Sequence, residues 1–506
     1  MLLLAAGFLT SRALAGDLLL THARLWDGTG APVRTDVDVL VHDDRIVAVG
    51  PGLVAPEGAR VLDVAGGTVM PGLIDAHVHL SLSPGAAWRK DTPEEEAALL
   101  RHHLRAYLAC GVTTILDPAV LPDAHLRIRV ALTSGAPGPT YLALGAPFSP
   151  PGGYVQAVLP TFPSVGTPAE VARQFDTVEG QGVVGIKTTV EEGFGPTIWP
   201  TYTSEVFDAI RTGAAARGVR VYAHAASPEE QTTAIERLGA TVLVHPPERY
   251  DRALVALAAA RGVYEMSTLA ILDTMRTGWA PERLADPLLQ LTVPAAELAT
   301  AADPEVARGF ARAMVETMYP GVPAAGLLAR LGFNEGAVRR RLARTGRALR
   351  ALRDAGVPIV MGSDSGNWPI IPFEFHGPTS VREVELLVLA GLTPEEALLA
   401  ATRTPARMLA IEAGTVESGR IADLLVVDGD PLVDVRALRH LRYIVRAGEA
   451  RTPGEWMGGE SGGGSAVAAP EAVTAEPIPP GDGPPGRAPG PPPAGFGLPL
   501  RDVGVM

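Results

Sequence analysis

The stretch Pro71–Leu80 reads PGLIDAHVHL, and the fold prediction starts from it. It is an apolar, strand-like run that ends in His77 and His79, two positions apart. Because alternate residues of a strand point to the same face, both imidazoles are expected to face one point at the end of the strand. Paired nitrogen donors there suit a transition metal. Two histidines alone are a weak signal, so the prediction depends on further donors elsewhere in the chain.

Downstream of this segment, strand-like runs alternate with amphipathic helical patterns, several of which end in glycine as helix C-termini do. The predicted strands are 69–77, 112–117, 140–145, 183–187, 219–224, 241–245, 262–267 and 358–364. Eight strand–helix units predict an α/β fold, a (β/α)8 TIM barrel over residues 71–405. The segment of about residues 270–342 is longer than an ordinary βα loop. It predicts a lid or substrate-shaping helical insert, with a packing role as the alternative.

Short β-runs with turn residues between them occupy both flanks of the barrel region. Residues 17–70 and 406–451 therefore predict a small β-sandwich domain built from both chain ends, with the barrel inserted between them. The segment 452–506 is dominated by Gly, Pro, Ala and Ser and predicts a disordered tail.

Residues 1–16 resemble a short signal peptide, with an Ala13-Leu14-Ala15 cleavage pattern but no basic residue before the apolar run. The expectation is a periplasmic or secreted protein, with a cytoplasmic one as the alternative. No later apolar stretch reaches about 18 residues, so no transmembrane span is predicted.

The bulk properties limit the classes of partner. A net charge of −13 argues against nucleic acid, because phosphate binding needs a basic surface. The single cysteine, Cys110, excludes an internal disulfide. The expected partner is a small molecule or a short peptide, and homo-oligomer formation is left open.

Further candidate ligands stand at the ends of other predicted strands: Lys187, His224, His245 and Asp364. The C-terminal strand ends of a TIM barrel converge on one face, so these residues are expected to meet His77 and His79. A lone strand-end histidine is more often a satisfied polar residue, and a lone Asp before Gly or Asn is usually a turn. Their joint occurrence at strand ends favours a metal centre.

These residues carry a family resemblance. From about Leu18 to Arg451 the chain resembles the amidohydrolase superfamily of metal-dependent hydrolases, in its imidazolonepropionase and Xaa-Pro dipeptidase-like branch. The motifs are VMPGLIDAHVHL, YAHAAS, LVHP, MGSDSGN, ELLVLAGLTPEEALLAATRTPARML and GRIADLLVVDGDPL. The resemblance implies a (β/α)8 barrel, a β-sandwich from the two termini, and one or two divalent ions per chain, with zinc as the expected metal.

Lys187 decides between one ion and two. A free lysine is protonated at neutral pH and is a poor metal ligand. In binuclear relatives the matching lysine is carboxylated, and its two oxygens bridge both ions. We expect the carboxylated lysine; a cationic lysine paired with substrate or an acid is the alternative.

The resemblance implies hydrolysis by a metal-activated water, with Asp364 as the catalytic proton carrier. Deaminase members usually carry a glutamate after the strand-five histidine, whereas His224 is followed by Ala-Ala-Ser. Cleavage of a C–N amide bond, in a dipeptide or a cyclic amide, fits better. An esterase, lactonase or phosphotriesterase on the same site is the alternative, and a non-catalytic scaffold is a further one. Tyr154 and His376 are candidate substrate contacts, or else pack within their loops.

Overall fold

The structure is a computed structural model that describes residues 16–80, 92–159, 161–193, 198–274, 281–318, 324–332, 335–369 and 371–459. All but the last residue of the predicted signal peptide, and the tail beyond residue 459, lie outside the described residues. None of the described helices combines the length and the apolar character that a membrane crossing requires.

Strands from both ends of the chain form one eight-stranded sheet. The strands are β1 Leu18–Leu25, β2 Arg34–His42, β3 Arg45–Gly50, β4 Arg60–Asp63, β5 Thr68–Pro71, β14 Leu424–Val427, β15 Leu441–Arg446 and β16 Glu449–Arg451. Their order in the sheet is β16-β15-β14-β5-β1-β2-β3, and β4 pairs with β1. The two ends meet where β14 runs antiparallel to β5. The division into a two-layer sandwich stays a prediction.

The central strands are parallel and lie in two sheets, of order β6-β7-β8 and β13-β12-β11-β10-β9. They fall within or overlap the eight predicted strand positions. Their bounds are β6 Leu73–Asp75, β7 Val112–Asp117, β8 Thr140–Ala143, β9 Gly185–Thr189, β10 Arg220–His224, β11 Val242–Val244, β12 Tyr264–Met266 and β13 Ile359–Val360. Parallel bridges from Val78 to Ser365 and from Phe148 to Thr188 link the two sheets next to their outer strands.

The first predicted strand, 69–77, is divided at Gly72 into β5 of the end sheet and β6 of the central sheet. At Gly72 the backbone changes hydrogen-bond partner, from Asp423 before β14 to Gly111 before β7, and it packs so closely that a Cβ on Gly72 would lie 2.3 Å from Thr113 Oγ1. The prediction of one continuous strand was therefore wrong. His77 and His79 follow the end of β6 instead of lying within it.

Helices separate the central strands, as the periodicity predicted. They are α1 Pro93–Ala109, α2 Pro122–Thr133, α3 Tyr154–Val158, α4 Pro168–Gly180, α5 Ser204–Arg217, α6 Pro228–Thr233, α7 Arg252–Arg261, α8 Ala270–Thr274, α9 Pro287–Thr292, α10 Ala295–Ala301, α11 Pro304–Met318, α12 Ala325–Gly332, α13 Glu335–Asp354, α14 Pro378–Leu389, α15 Pro394–Ala400, α16 Arg403–Leu409 and α17 Pro453–Met457. Thr92 starts α1 and Thr393 starts α15 with reciprocal capping boxes, which satisfy backbone N–H groups of the first turn.

The predicted insert between the seventh and eighth strands is helical over its described residues. Part of it packs against the loop that follows β13. Leu289, Val293 and Leu298 share an apolar cluster with Trp368 and Phe375, and the Trp368 Nε1 donates to a carboxylate oxygen of the insert at 3.0 Å. The insert therefore lies against the loop that also carries Asp364, close to the predicted site.

The prediction of a disordered tail over residues 452–506 was wrong at its start, where α17 is ordered. Thr452 caps α17 with a capping box, and the Trp456 side chain is only 1% exposed. Its Nε1 donates to the Ile444 carbonyl at 3.1 Å. Burial of one large indole therefore orders a segment whose composition alone indicated disorder.

We expect Trp456→Ala to destabilise the protein by about 3–5 kcal/mol, since it removes a fully buried indole. Trp456→Phe keeps a ring and loses the hydrogen bond, so its effect should be smaller. Thermal unfolding of both variants beside the wild type measures this. An unchanged midpoint for Trp456→Ala would show that α17 does not contribute to stability.

Candidate metal centre

The segment that carries His77 and His79 is held on both sides by backbone hydrogen bonds. Asp364 N donates to His77 O at 2.8 Å, and His79 N donates to Ser365 O at 2.7 Å. The two imidazole rings lie 5.2 Å apart, nearly edge to face. The loop after β13 therefore places a carboxylate directly beside both histidines.

The Asp75 carboxylate connects the segment that carries His77 to the loop that carries Asp364. It accepts hydrogen bonds from the Ser363 N–H and hydroxyl, from the Ser380 hydroxyl and from the His77 N–H. Complete burial raises the pKa of Asp75 to about 6, although these donors oppose the shift. Asp75 thus fixes the relative positions of the His77 and Asp364 backbones.

Asp364 contacts both histidines through one oxygen. Its Oδ1 lies 3.3 Å from His77 Nε2 and 2.7 Å from His79 Nε2. Burial disfavours the charged carboxylate, but the two imidazoles outweigh it and hold the pKa of Asp364 well below its usual range. The backbone has φ +59°, a left-handed conformation that Asp and Asn tolerate better than most residues.

His224 ends β10, and His245 follows β11. The His245 ring lies 4.3 Å from the ring of His224 and 5.5 Å from that of His77. The His245 Nδ1 is 2.8 Å from Thr268 Oγ1, which fixes the orientation of the ring. These contacts bring the strand-five and strand-six histidines to the same place as His77.

Ligand atoms of His77, His245 and Asp364 all lie within 4.8 Å of one another, and all three residues are buried. Burial, followed by the charge of Lys187, lowers the pKa of His77 and of His224 to about 3. Burial and the neighbouring His224 likewise hold the pKa of His245 well below its usual value. Neutral imidazoles with free lone pairs beside an ionised carboxylate are the donors that a zinc-type ion takes, so the residues present fit a metal.

Lys187 lies on β9 and is 7% exposed. Burial lowers the pKa of its amine to about 7, while the Asp364 charge opposes the shift. The Lys187 charge lowers the pKa values of both His77 and His224, so its amine faces the same region. Ring and ion-pair contacts connect five of the predicted ligands, His77, His79, His224, His245 and Asp364.

The two candidate substrate contacts are placed differently. The Tyr154 ring stacks on His224 at 4.6 Å and lies 5.2 Å from Trp199, so it borders the metal centre. The His376 ring stacks on His103 of α1 at 3.7 Å and meets Tyr107 edge to face. His376 thus packs against α1, and the substrate roles of both residues stay predictions.

Sequence reasoning missed three residues that border the histidines. Thr268 follows the seventh strand, one of three predicted strands whose ends supplied no candidate, so its position was a usable signal. Glu191 Oε2 lies 3.5 Å from His224 Nε2, and Glu230 lies beside Glu191. Both glutamates belong to segments after strands, where spacing carried no signal.

The sequence profile of the amidohydrolase family matches residues 68–453, most of the chain. The chain belongs to the amidohydrolase family. The predicted resemblance is confirmed, and the class of enzyme that it indicates is a hydrolase acting on carbon–nitrogen bonds.

Curated relatives of this amidohydrolase match it over short stretches. The dihydroorotase of Citrifermentans bemidjiense is 40% identical over 75 residues, 15% of this chain and 17% of the relative. That of Mycobacterium tuberculosis is 34% identical over 88 residues, 17% and 20% of the two chains. The chain thus matches about a fifth or less of the length of these relatives.

Solved structures match much more of this amidohydrolase. A Xaa-Pro dipeptidase with bound methionine has a TM-score of 0.66 at 23% identity, covering 86% of this chain and 100% of that one. The A. niger ochratoxinase has a TM-score of 0.65 at 19% identity, covering 88% and 98%. At these identities the likeness shows the fold, and it confirms the predicted α/β class.

Proposed function

We propose that the protein is a metal-dependent hydrolase that cleaves a C–N amide bond in a dipeptide or a cyclic amide. The observation that carries the proposal is the buried convergence of His77, His245 and Asp364 in an amidohydrolase-family chain. The substrate classes are motivated by the matched proteins, which include dihydroorotases and a Xaa-Pro dipeptidase.

The residues that would hold one or two ions, with zinc as the first candidate, are His77, His79, Lys187, His224, His245 and Asp364. A divalent ion supplies Lewis acidity that polarises a carbonyl and lowers the pKa of water. The imidazoles bind as neutral donors, and Thr268 orients that of His245. Asp364, ionised at neutral pH, accepts a proton from the attacking water and passes it to the leaving nitrogen.

We further propose that Lys187 carries a carboxylate. The lone pair of the neutral Nζ attacks CO2, the N–C bond forms, and an N–H proton leaves to solvent, so that a carbamate with two oxygens results. The chain has 43 basic residues, and only Lys90 and Lys187 among them are lysines. A buried lysine kept in a chain that otherwise uses arginine indicates chemistry that guanidinium cannot perform, because arginine is never neutral in proteins.

Tyr154 and Trp199 support a ring-containing substrate. Tyr154 stacks on the His224 imidazole, and the buried Trp199 lies beside Tyr154. An aromatic wall of this kind can pack against a proline ring or a cyclic amide. Tyr154 is the first proposed substrate contact, and His376 remains the second.

We also propose that the eight parallel strands close into a (β/α)8 barrel and that the end sheet folds into a β-sandwich. Support for closure comes from the two bridges, Val78 to Ser365 and Phe148 to Thr188, which lie at opposite edges of the two central sheets. A closed barrel would bring the ends of β6, β9, β10, β11 and β13 to one face.

The test is a substrate panel run on protein whose metal content has been measured by elemental analysis. We expect turnover of Xaa-Pro dipeptides or cyclic amides that falls at least about tenfold after chelation and returns with zinc, since the metal supplies several kcal/mol to the transition state. Esters, lactones and phosphotriesters provide the comparison. Faster turnover of those substrates, or a protein that binds no metal, would contradict the proposal.

A further inference from the structure

Glu191 is a buried carboxylate that points at a candidate ligand. It follows β9 and is 3% exposed. Its Oε1 accepts a hydrogen bond from Gly193 N at 3.1 Å. Its Oε2 receives none from the described residues, and neither does the buried His224 Nε2, 3.5 Å away. Two polar atoms thus face each other without a bond between them.

Glu191 also shares its surroundings with a second carboxylate. Glu230 lies within side-chain hydrogen-bonding reach of Glu191 and accepts hydrogen bonds from the backbone N–H groups of Glu192, Ala226 and Ser227. Within the part of the chain that the structure describes, no arginine or lysine forms an ion pair with either carboxylate. Two adjacent buried carboxylates without a basic partner are costly when both are charged, and either a proton held between them or a bound cation lowers that cost.

The 3.5 Å distance between Glu191 Oε2 and His224 Nε2 distinguishes a direct hydrogen bond from two ligands of one metal ion. It exceeds the roughly 2.7–3.2 Å range of an N–H···O hydrogen bond, so an imidazolium–carboxylate bond does not explain it. Nitrogen and oxygen ligands of one tetrahedral zinc ion, each bound at about 2.1 Å, lie about 3.4 Å apart. The separation of His77 Nε2 and Asp364 Oδ1, 3.3 Å, is of the same size.

We propose that Glu191 is an additional oxygen ligand of the metal centre, on the side of His224. The inference rests on the proposed metal-dependent hydrolysis. It adds a carboxylate from the loop after β9 to the donors at the strand ends, and it gives the centre a ligand that spacing in the sequence did not indicate.

The experiment compares Glu191→Gln with Glu192→Gln. Both changes remove one negative charge from adjacent residues, but the Glu192 side chain is exposed and the Glu191 side chain is buried. Metal-free protein of each variant and the wild type is titrated with Co2+, following its visible absorption, and with Zn2+, following the thermal unfolding midpoint. Neither readout depends on turnover.

We expect Glu191→Gln to bind Co2+ at least about tenfold more weakly, with an altered absorption spectrum and a smaller upward shift of the midpoint on adding Zn2+. Glu192→Gln should behave as the wild type. The metal-free Glu191→Gln protein should be no less stable than the wild type, because it loses a buried charge beside Glu230.

Wild-type Co2+ affinity and spectrum in Glu191→Gln would overturn the inference. Unchanged Co2+ binding by Glu191→Gln, together with weaker binding of a ligand that has a free amino group, would also overturn the inference. Glu191 would then bind an ammonium group. A wild-type protein that takes up no metal would overturn the proposed function as well, so the two failures are distinguishable.

Discussion

Replacing Asp364 by asparagine should lower kcat by about 10³-fold or more and leave the protein folded. The change removes the proposed proton carrier, whose contribution is typically 10²–10⁴-fold, and weakens a metal ligand at the same position. The fold should persist because φ at this residue is +59°, a conformation that asparagine adopts readily. Steady-state kinetics on the substrate found by the panel measure the loss, and thermal unfolding checks the fold.

Asp354→Asn is the matched control, since it makes the same chemical change on the exposed side chain at the end of α13 and should keep the wild-type kcat. Metal analysis then separates the two parts of the Asp364 role. A folded variant with full metal content and lost turnover indicates proton transfer, and one with lost metal indicates ligation. Rates near those of the wild type in Asp364→Asn would remove Asp364 from the mechanism.

Much of this site was predictable because the signal lies in periodicity. His224 is the last residue of β10, and His245 follows β11 directly. Each of these two histidines could therefore be predicted as a ligand from the β-branched run that precedes it. The fold class then placed them together, since the ends of parallel strands in one sheet meet at one edge. Lys187 was also found at the end of a predicted strand, and the family resemblance added its expected carboxylation.

The features that the sequence analysis did not predict depend on contacts between distant segments. Glu191 reaches His224 through a loop, and Trp456 is ordered by contact with β15, so both depend on tertiary packing that local sequence does not encode. The apolar run around Gly72 is divided between two sheets at a point where the Gly72 backbone packs closely against Thr113. Such steric facts arise between segments far apart in sequence, and single-sequence patterns report only neighbours along the chain.

Lys187→Arg should abolish most of the activity, by about 10³-fold or more, with the loss of at least one metal ion per chain. Arginine keeps the positive charge and most of the volume, but its guanidinium stays protonated and cannot reach the neutral state that carboxylation needs. The buried Lys187 amine, with its pKa lowered to about 7, reaches that state near neutral pH. A cation left beside the histidines would moreover repel a bound metal ion.

Two measurements make this prediction specific to the carbamate. Wild-type protein exchanged with carbon-13 bicarbonate should show a carbamate carbon signal that Lys187→Arg lacks. Lys187→Ala should be inactive and regain part of its activity and metal content with a short carboxylic acid such as propionate, whose two oxygens can occupy the place of the carbamate. If Lys187→Arg instead keeps wild-type activity and metal content, Lys187 acts as a cation that pairs with substrate or an acid. The centre would then rest on its histidines and carboxylates alone.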